Sequence, residues 1–279
     1  MDINWYPGHM AKAKRLLADQ LSRVDVVVEL CDARLPYSSR NPDLDKLLAG
    51  KKRVLLLNKA DLADPAATSA WLNYFRAQGI DAAPYSASTG KAKDALAVID
   101  RAAKEAVERA AQKGIRKTVK AMVVGVPNVG KSTFTNKLHG GNIAKTGDRP
   151  GVTRANQWVR ITPYLDLLDT PGLLWPRLDD QLAARRLCYI GTVKDDVVDL
   201  AMLTIHLLQD MLKVAAILKG KTVDPRVSLS IAPGSKQVYT MLASCGALAD
   251  MIAAGARILE CACGPCIGMG QSPNSGGVS

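Results

Sequence analysis

No run of about 18 apolar residues interrupts the 279-residue chain, so the sequence offers no obvious membrane span. The start, "MDINWYPGHMAKAKR", lacks an apolar stretch between a basic end and a small-residue cleavage site. Export is therefore not expected, and a cytoplasmic, membrane-free home is. Acidic residues are in deficit, 26 against 37 Lys and Arg, which leaves a formal charge of +11. A polyanionic partner gains from that excess by counterion release, with RNA, not DNA, as the expected one; a basic surface that only aids solubility is the plain alternative. Between Arg109 and Lys120 there is no acid among Arg109, Lys113, Arg116, Lys117 and Lys120, and Lys12, Lys14 and Arg15 cluster near the start. A disulfide framework is also excluded, because six cysteines in a cytosolic chain do not form one. Four of them, Cys245, Cys261, Cys263 and Cys266, crowd the end, while Cys31 and Cys188 stand alone.

What is present is a repeating pattern of apolar strands that end in polar residues. "VDVVVELCDAR" and "KRVLLLNKAD" read as buried parallel strands, "APYSAST" as a shorter one, and "VKAMVVGVP", "QWVRITP" and "LDLLDTPG" as three more. Helical stretches lie between them, among them "PAATSAWLNYFRAQG", closed by a glycine, and a long one over roughly 92 to 112. Six strands alternating with helices predict an α/β fold with a six-stranded, mostly parallel sheet and helices on both faces. Ligands of such sheets sit beyond the carboxyl ends of the strands, and each motif below follows a strand end.

"GVPNVGKS" fits G-x-x-x-x-G-K-S, with Gly125, Gly130, Lys131 and Ser132 in place. Its glycines let backbone amides face phosphate oxygens, and the helix that follows adds its positive end. Lys131 is then expected on the β and γ oxygens, Ser132 on Mg²⁺, and Asn128, Val129, Gly130 and Thr133 around the phosphates. "DTPG" places Asp169 to hold Mg²⁺ and the Gly172 amide to meet a γ-phosphate. Thr153 lies between these two elements as the switch residue that completes the metal shell. "NKAD" supplies Asp61, whose carboxylate accepts from guanine N1–H and N2–H₂, a donor pair adenine lacks, with Asn58 and Lys59 supporting the loop and covering the ring. "SAST" adds Ser86 and the Ala87 amide for guanine O6. Base, base, phosphate, switch and metal elements follow one another in an order rotated from the usual one, which a circular permutation explains because loops at one sheet edge still converge.

Together "WYPGHMAKAKR", "DARLPYSSRNP", "LLNKAD", "GVPNVGKST", "AKTGDRPGVTR" and "LLDTPGLLWP" resemble the ribosome biogenesis GTPase A family, also called YlqF. The resemblance runs over residues 1–209 and implies a circularly permuted P-loop GTPase that binds GTP and GDP with Mg²⁺. It also implies slow turnover until the large ribosomal subunit and its rRNA stimulate it. Leu173 and Leu174 stand where many GTPases carry a water-orienting Gln. The family's "PGHM" motif makes His9 the candidate for that task, with a structural histidine as the alternative, and Asn128 matches an asparagine through which related GTPases bind K⁺, or is simply a turn residue.

From about Leu212 the chain departs from that family. "VSLSIAPGSKQV" and "CACGPCIGMGQ" resemble the aconitase family of iron–sulfur hydratases, so 210–279 is expected to be an aconitase-like fragment, a short incomplete α/β tail whose folding is in question. In that family Cys263 and Cys266 match two cluster ligands, and the segment that supplies the third cysteine has no counterpart here. Two thiolates do not fill such a site, so no intact iron–sulfur cluster and no hydratase activity are expected. Redox or zinc chemistry at the C-x-x-C lacks its context too. A short strand, "VSLSIAP", and a single helix, "SKQVYTMLASCGALADMIAAG", are expected there, with "GMGQSPNSGGVS" disordered. Two readings stand beside the ribosomal GTPase: an iron–sulfur hydratase fragment, and a GTP-regulated RNA-binding protein with no preference for the ribosome.

Overall fold

The structure is a computed structural model, and it describes residues 3, 8–143, 157–175, 178–224, 229–231, 233 and 236–259. The chain divides into two compact units, 2–197 and 198–279. A boundary after Gln209 falls within a helix of the second unit, so each unit is described with the division at Val197.

In the first unit the elements run α1 (Gly8–Leu21), β1 (Val26–Asp32), α2 (Asp43–Leu47), β2 (Lys52–Asn58), α3 (Pro65–Ala77), β3 (Asp81–Pro84), α4 (Ala92–Ala111), β4 (Val119–Val124), α5 (Lys131–His139), β5 (Gln157–Thr162), β6 (Leu165–Asp169) and α6 (Gln181–Tyr189). The six strands form one sheet in the order β3-β2-β1-β4-β6-β5, parallel except for the β5–β6 hairpin. β1 is buried at all seven positions, as a central strand covered on both faces must be, which is why its sequence is a continuous β-branched run and not an alternation. Its ladder with β2 runs from Val26↔Lys52 to Asp32↔Asn58, so both strands end at the same edge. Asp64 caps α3 by accepting from the Ala67 amide at 2.6 Å, and Pro65 at the first helical position needs no donor.

Two expectations are corrected here. β3 occupies Asp81–Pro84 and not "APYSAST": Tyr85 N–H bonds Leu57 O at 2.9 Å and Tyr85 O accepts from Ala60 N–H at 3.1 Å, and the chain then turns, closed by Gly90 N–H to Ser86 O at 2.7 Å. Tyr85 is drawn inward against Phe134, ring edge to face at 5.5 Å, while its backbone still bonds the β2 segment. α1 and α6 have no counterpart among the expected elements; Asp180 caps α6 by accepting from the Leu182 and Ala183 amides.

The second unit contains α7 (Leu200–Leu218), β7 (Ser230–Ile231), α8 (Lys236–Ser244), α9 (Ala247–Ala253) and β8 (Arg257–Ile258). Leu208, Met211 and Ala215 of α7 share a small core with Ile231, Val238, Leu242, Leu248 and Met251, and β7 and β8 form a two-residue parallel ladder. The single helix expected over 235–255 is two helices. Gly246, at φ +79°, leaves the right-handed region, and the Cys245 and Gly246 amides close the end of α8 on Met241 O and Ala243 O. α7 also corrects the reading of apolar runs: by length and composition it suffices to cross a membrane, although it carries His206, Asp210 and Lys213 and buries one face in the core.

Candidate guanine-nucleotide site

The site is built at the carboxyl edge of the sheet from loops far apart in sequence. The phosphate loop leaves β4 at Gly125, whose φ of +152° and position leave no room for a side chain: a Cβ there would lie 2.4 Å from Leu30 O. Asn128 and Gly130 both take positive φ, +61° and +94°, and α5 begins at Lys131 with no side-chain cap. Its first amides are thus left to a ligand, and the positive helix end favours an anion. Lys131 lies folded into the loop, its ammonium donating to Val126 O at 2.8 Å. Burial lowers its pKa to about 8, with the Asp169 charge opposing that shift.

Asp169 ends β6. Its Oδ2 accepts from Ser132 Oγ at 3.0 Å, while Oδ1 is buried with no hydrogen-bond partner. Burial raises the Asp169 pKa against the pull of Lys131 and of its hydrogen bonds from Ser132 and Thr170. An all-oxygen pair with an unsatisfied carboxylate oxygen is the donor chemistry a hard divalent cation such as Mg²⁺ requires, so Ser132 and Asp169 fit that ion. Gly172 is pressed onto the phosphate loop, where a Cβ would lie 2.6 Å from Pro127 Cα and N, and Leu173 N–H bonds Gly125 O at 3.1 Å.

The base-reading loop follows β2. Asn58 is the clasp of the whole edge: its Nδ2 donates to Val129 O at 2.7 Å, and its Oδ1 accepts from Ala87 N–H at 2.8 Å. One buried amide thereby joins the three motifs. Lys59, in the left-handed region at φ +59°, donates from Nζ to Asn128 O at 2.9 Å and lies 3.2 Å from Asp32 Oδ2. Asp61 Oδ1 is buried without a partner, an acceptor held ready for a donor the chain does not supply. Ser86 accepts from Thr89 Oγ1 at 2.8 Å and so shapes its own turn. The Ala87 amide, expected at guanine O6, is engaged by Asn58 in this structure, and meeting O6 requires that bond to be shared.

Thr133 is exposed beyond the loop. Thr153 lies outside the described residues. His9 sits in the first turn of α1, and its ring is likewise outside them. Leu173 and Leu174 are buried and apolar, so neither orients water. Asn128 takes the left-handed conformation that suits a turn residue, and its Nδ2 donates to Gly191 O at 2.5 Å. Several of the basic side chains set aside for RNA serve the fold: Lys14 pairs with Asp43, Lys117 with Asp25, and Lys120 lies over the Trp158 ring.

Some supporting groups had no role assigned from sequence, although Asp32 and Asn41 lie in the "DARLPYSSRNP" motif. Thr192 Oγ1 donates to Pro127 O at 3.1 Å, Asn41 Nδ2 donates to Leu173 O at 2.9 Å, and Asp32 holds Arg34 and Lys59. Burial alone would raise the Asp32 pKa; hydrogen bonds from Arg34 and the charges of Lys59 and Arg34 outweigh it and hold the group below the ordinary value.

Known proteins bear on this geometry as follows. Residues 120–227 match the model of the 50S ribosome-binding GTPase family, and 196–279 match that of the aconitase family, aconitate hydratase. The chain is 47% identical over 215 residues to the ribosome biogenesis GTPase A of Bacillus cereus, covering 76% of this chain and 73% of that one. It is 45% identical over 212 residues to that of Priestia megaterium, covering 75% and 74%. The crystal structure of GNP-bound YlqF from T. maritima superposes with a TM-score of 0.55 at 26% identity, over 75% of this chain and 78% of that one. With three permuted motifs joined at one sheet edge and relatives of this identity and coverage, the chain belongs to the ribosome biogenesis GTPase A family.

Proposed function

We propose that the chain binds GTP and GDP at the 58–61, 86–87 and 125–133 loops, hydrolyses GTP, and acts in assembly of the large ribosomal subunit, with that subunit and its rRNA as partners. The observation that carries the reading is the Asn58 clasp, because it sets the base loop, the Ala87 loop and the phosphate loop into one rigid edge before any ligand arrives. Asp61 then selects guanine, since its partnerless oxygen is costly to leave unpaired and adenine offers it no donor. Uncapped amides at the start of α5 take the phosphates, and Lys131 exchanges Val126 O for phosphate oxygens. Ser132 and Asp169 are the described residues that would hold Mg²⁺, which when bound neutralises charge on the phosphates. Thr153 and the Gly172 amide are assigned to the γ-phosphate end, His9 to the water, and Asn128 to K⁺ as well as to the turn. A buried Leu pair after "DTPG" implies slow intrinsic turnover, so a partner must complete the water-orienting step.

The aconitase match over 196–279 favours one further statement. We expect no hydratase activity. Cys31 and Cys188 are buried, Cys245 is exposed, and neither Cys245 nor Cys261 stands where the resemblance puts the third cluster ligand beside Cys263 and Cys266. Iron analysis after anaerobic purification is predicted to find no stoichiometric cluster; four irons per chain would reverse that assignment.

The ribosomal role is tested by GTP turnover of the purified chain with and without large ribosomal subunits, in K⁺ and in Na⁺ buffer. Stimulation by the subunit, and more in K⁺, is expected. Binding to RNA at large with no response to the subunit would instead favour the GTP-regulated RNA-binding reading.

A further inference from the structure

Asp32 and Arg34 close β1 and belong to none of the phosphate, metal or base-reading loops, yet they lie beneath two of them. The β1–β2 register puts Asp32 opposite Asn58 as the last pair of the ladder, and Ala33 N–H bonds Asn58 O at 2.7 Å. The next residue of β2's chain is therefore Lys59, delivered directly beside the Asp32 carboxylate. That carboxylate is fully buried and fixed on both oxygens: Oδ1 accepts from Arg34 N–H at 3.0 Å and Nε at 2.9 Å, and Oδ2 accepts from the Arg34 terminal nitrogen at 2.7 Å. Arg34 alone would satisfy it. The added Lys59 ammonium at 3.2 Å is what makes the group more than a local turn, because that ammonium also donates to Asn128 O in the phosphate loop.

Lys59 needs this help. Its backbone is left-handed, a conformation that non-glycine residues rarely adopt. A long, flexible side chain also loses rotamer freedom when its tip is pinned. We propose that Asp32 is a positioning residue for guanine-nucleotide binding: it fixes the Lys59 ammonium against Asn128 O, so the base-reading loop and the phosphate loop keep one spacing in the empty protein. This rests on the reading of residues 58–61 and 125–133 as one nucleotide site. Because the latch touches neither Ser132 nor Asp169, it acts on what GDP and GTP share and not on the γ-phosphate end.

The test is titration of the full chain with a fluorescent N-methylanthraniloyl GDP, with GTP as competitor, for the wild type, Asp32→Asn, Lys59→Met, the double variant and Arg34→Gln. A charge-assisted hydrogen bond is worth more than a neutral one, so Asp32→Asn is expected to weaken GDP and GTP alike by about tenfold or more. KM for GTP rises and kcat at saturation stays. Lys59→Met loses at least as much, because Lys59 also covers the guanine ring, and the double variant is no worse than Lys59→Met alone, since the Asp32 linkage is already gone. Arg34→Gln lowers the melting temperature and weakens both nucleotides by less than Asp32→Asn does, because Asp32 keeps its backbone bond from residue 34 and still faces Lys59. Unchanged affinity in Asp32→Asn, additive losses in the double variant, or an Arg34→Gln loss as large as that of Asp32→Asn would each overturn the latch. A wild type that binds neither nucleotide overturns the site as well, whereas guanine-dependent wild-type binding with an indifferent Asp32→Asn overturns the latch alone.

Discussion

Lys131 couples the pH of the solution to the ligand. Burial holds its folded-state pKa at about 8, below the ordinary 10.5, so its contribution to the empty protein's stability is present above 10.5 and is lost as pH falls through about 8. Phosphates favour the ammonium. Nucleotide binding is therefore predicted to take up a proton above about pH 8 and to weaken as pH rises further. Calorimetry in two buffers of different ionisation heat measures that uptake directly, and Lys131→Met is expected to abolish it. Cysteines divide on the same physical ground. Burial, then the Asp195 charge, pushes Cys188 up to about 11, and burial followed by the Glu29 charge pushes Cys31 well above its usual range, while Cys245 is exposed. A thiol reagent on the folded chain is expected to label Cys245 long before Cys31 or Cys188. Residues whose chemical type is dictated by the ligand were legible from sequence, namely Asn58, Asp61, Lys131, Ser132 and Asp169. Asp32 and Asn41 stood out only as part of the "DARLPYSSRNP" resemblance with no role attached, and Gly191 and Thr192 not at all, since their task is to hold a neighbour that only the tertiary fold supplies.

Elements were legible where one periodicity dominates. β1, β2, β4 and β6 are dominated by buried apolar residues because the sheet covers both their faces, with charged residues such as Glu29, Lys120 and Asp166 as interruptions. β3 ends earlier than its sequence pattern predicts because, past Tyr85, whose ring packs on Phe134, the chain closes a turn from Gly90 N–H to Ser86 O and leaves the ladder. The α8–α9 break turned on a single glycine inside an otherwise helical pattern, a position where sequence alone does not say whether the backbone stays right-handed. At this scale the junction between the phosphate loop and the segment after β6 is tightly constrained. A Cβ on Gly172 would meet backbone atoms of Pro127 at 2.6 Å, which cannot rotate away. Gly172→Ala is predicted to cost about 1–3 kcal/mol of stability by urea unfolding, and to weaken nucleotide binding because the loop must shift.

Across the whole molecule the two units carry different surfaces. Leu200, Met202, Ile205, Leu212, Val214 and Ile217 are exposed along α7, and Tyr239, Met241 and Ile252 add to them within the same unit. Apolar exposure of that density promotes association or dye binding. Ile205→Glu with Ile217→Glu is predicted to reduce both, read by light scattering and a hydrophobic fluorophore, with nucleotide affinity unchanged. The two family resemblances were legible because each has its own motifs; how the tail folds was not, since its core depends on α7 meeting α8 and α9. The central claim is that a base loop early in the chain and a phosphate loop midway through it make one guanine site. Competition binding of GTP, ATP and XTP to the wild type and to Asp61→Asn tests it most directly. An asparagine presents a donor where the carboxylate accepted, so the wild type should prefer GTP, and the variant should lose GTP by on the order of a hundredfold while gaining XTP. Equal binding of GTP and ATP by the wild type, or a variant with unaltered preference, would contradict the account.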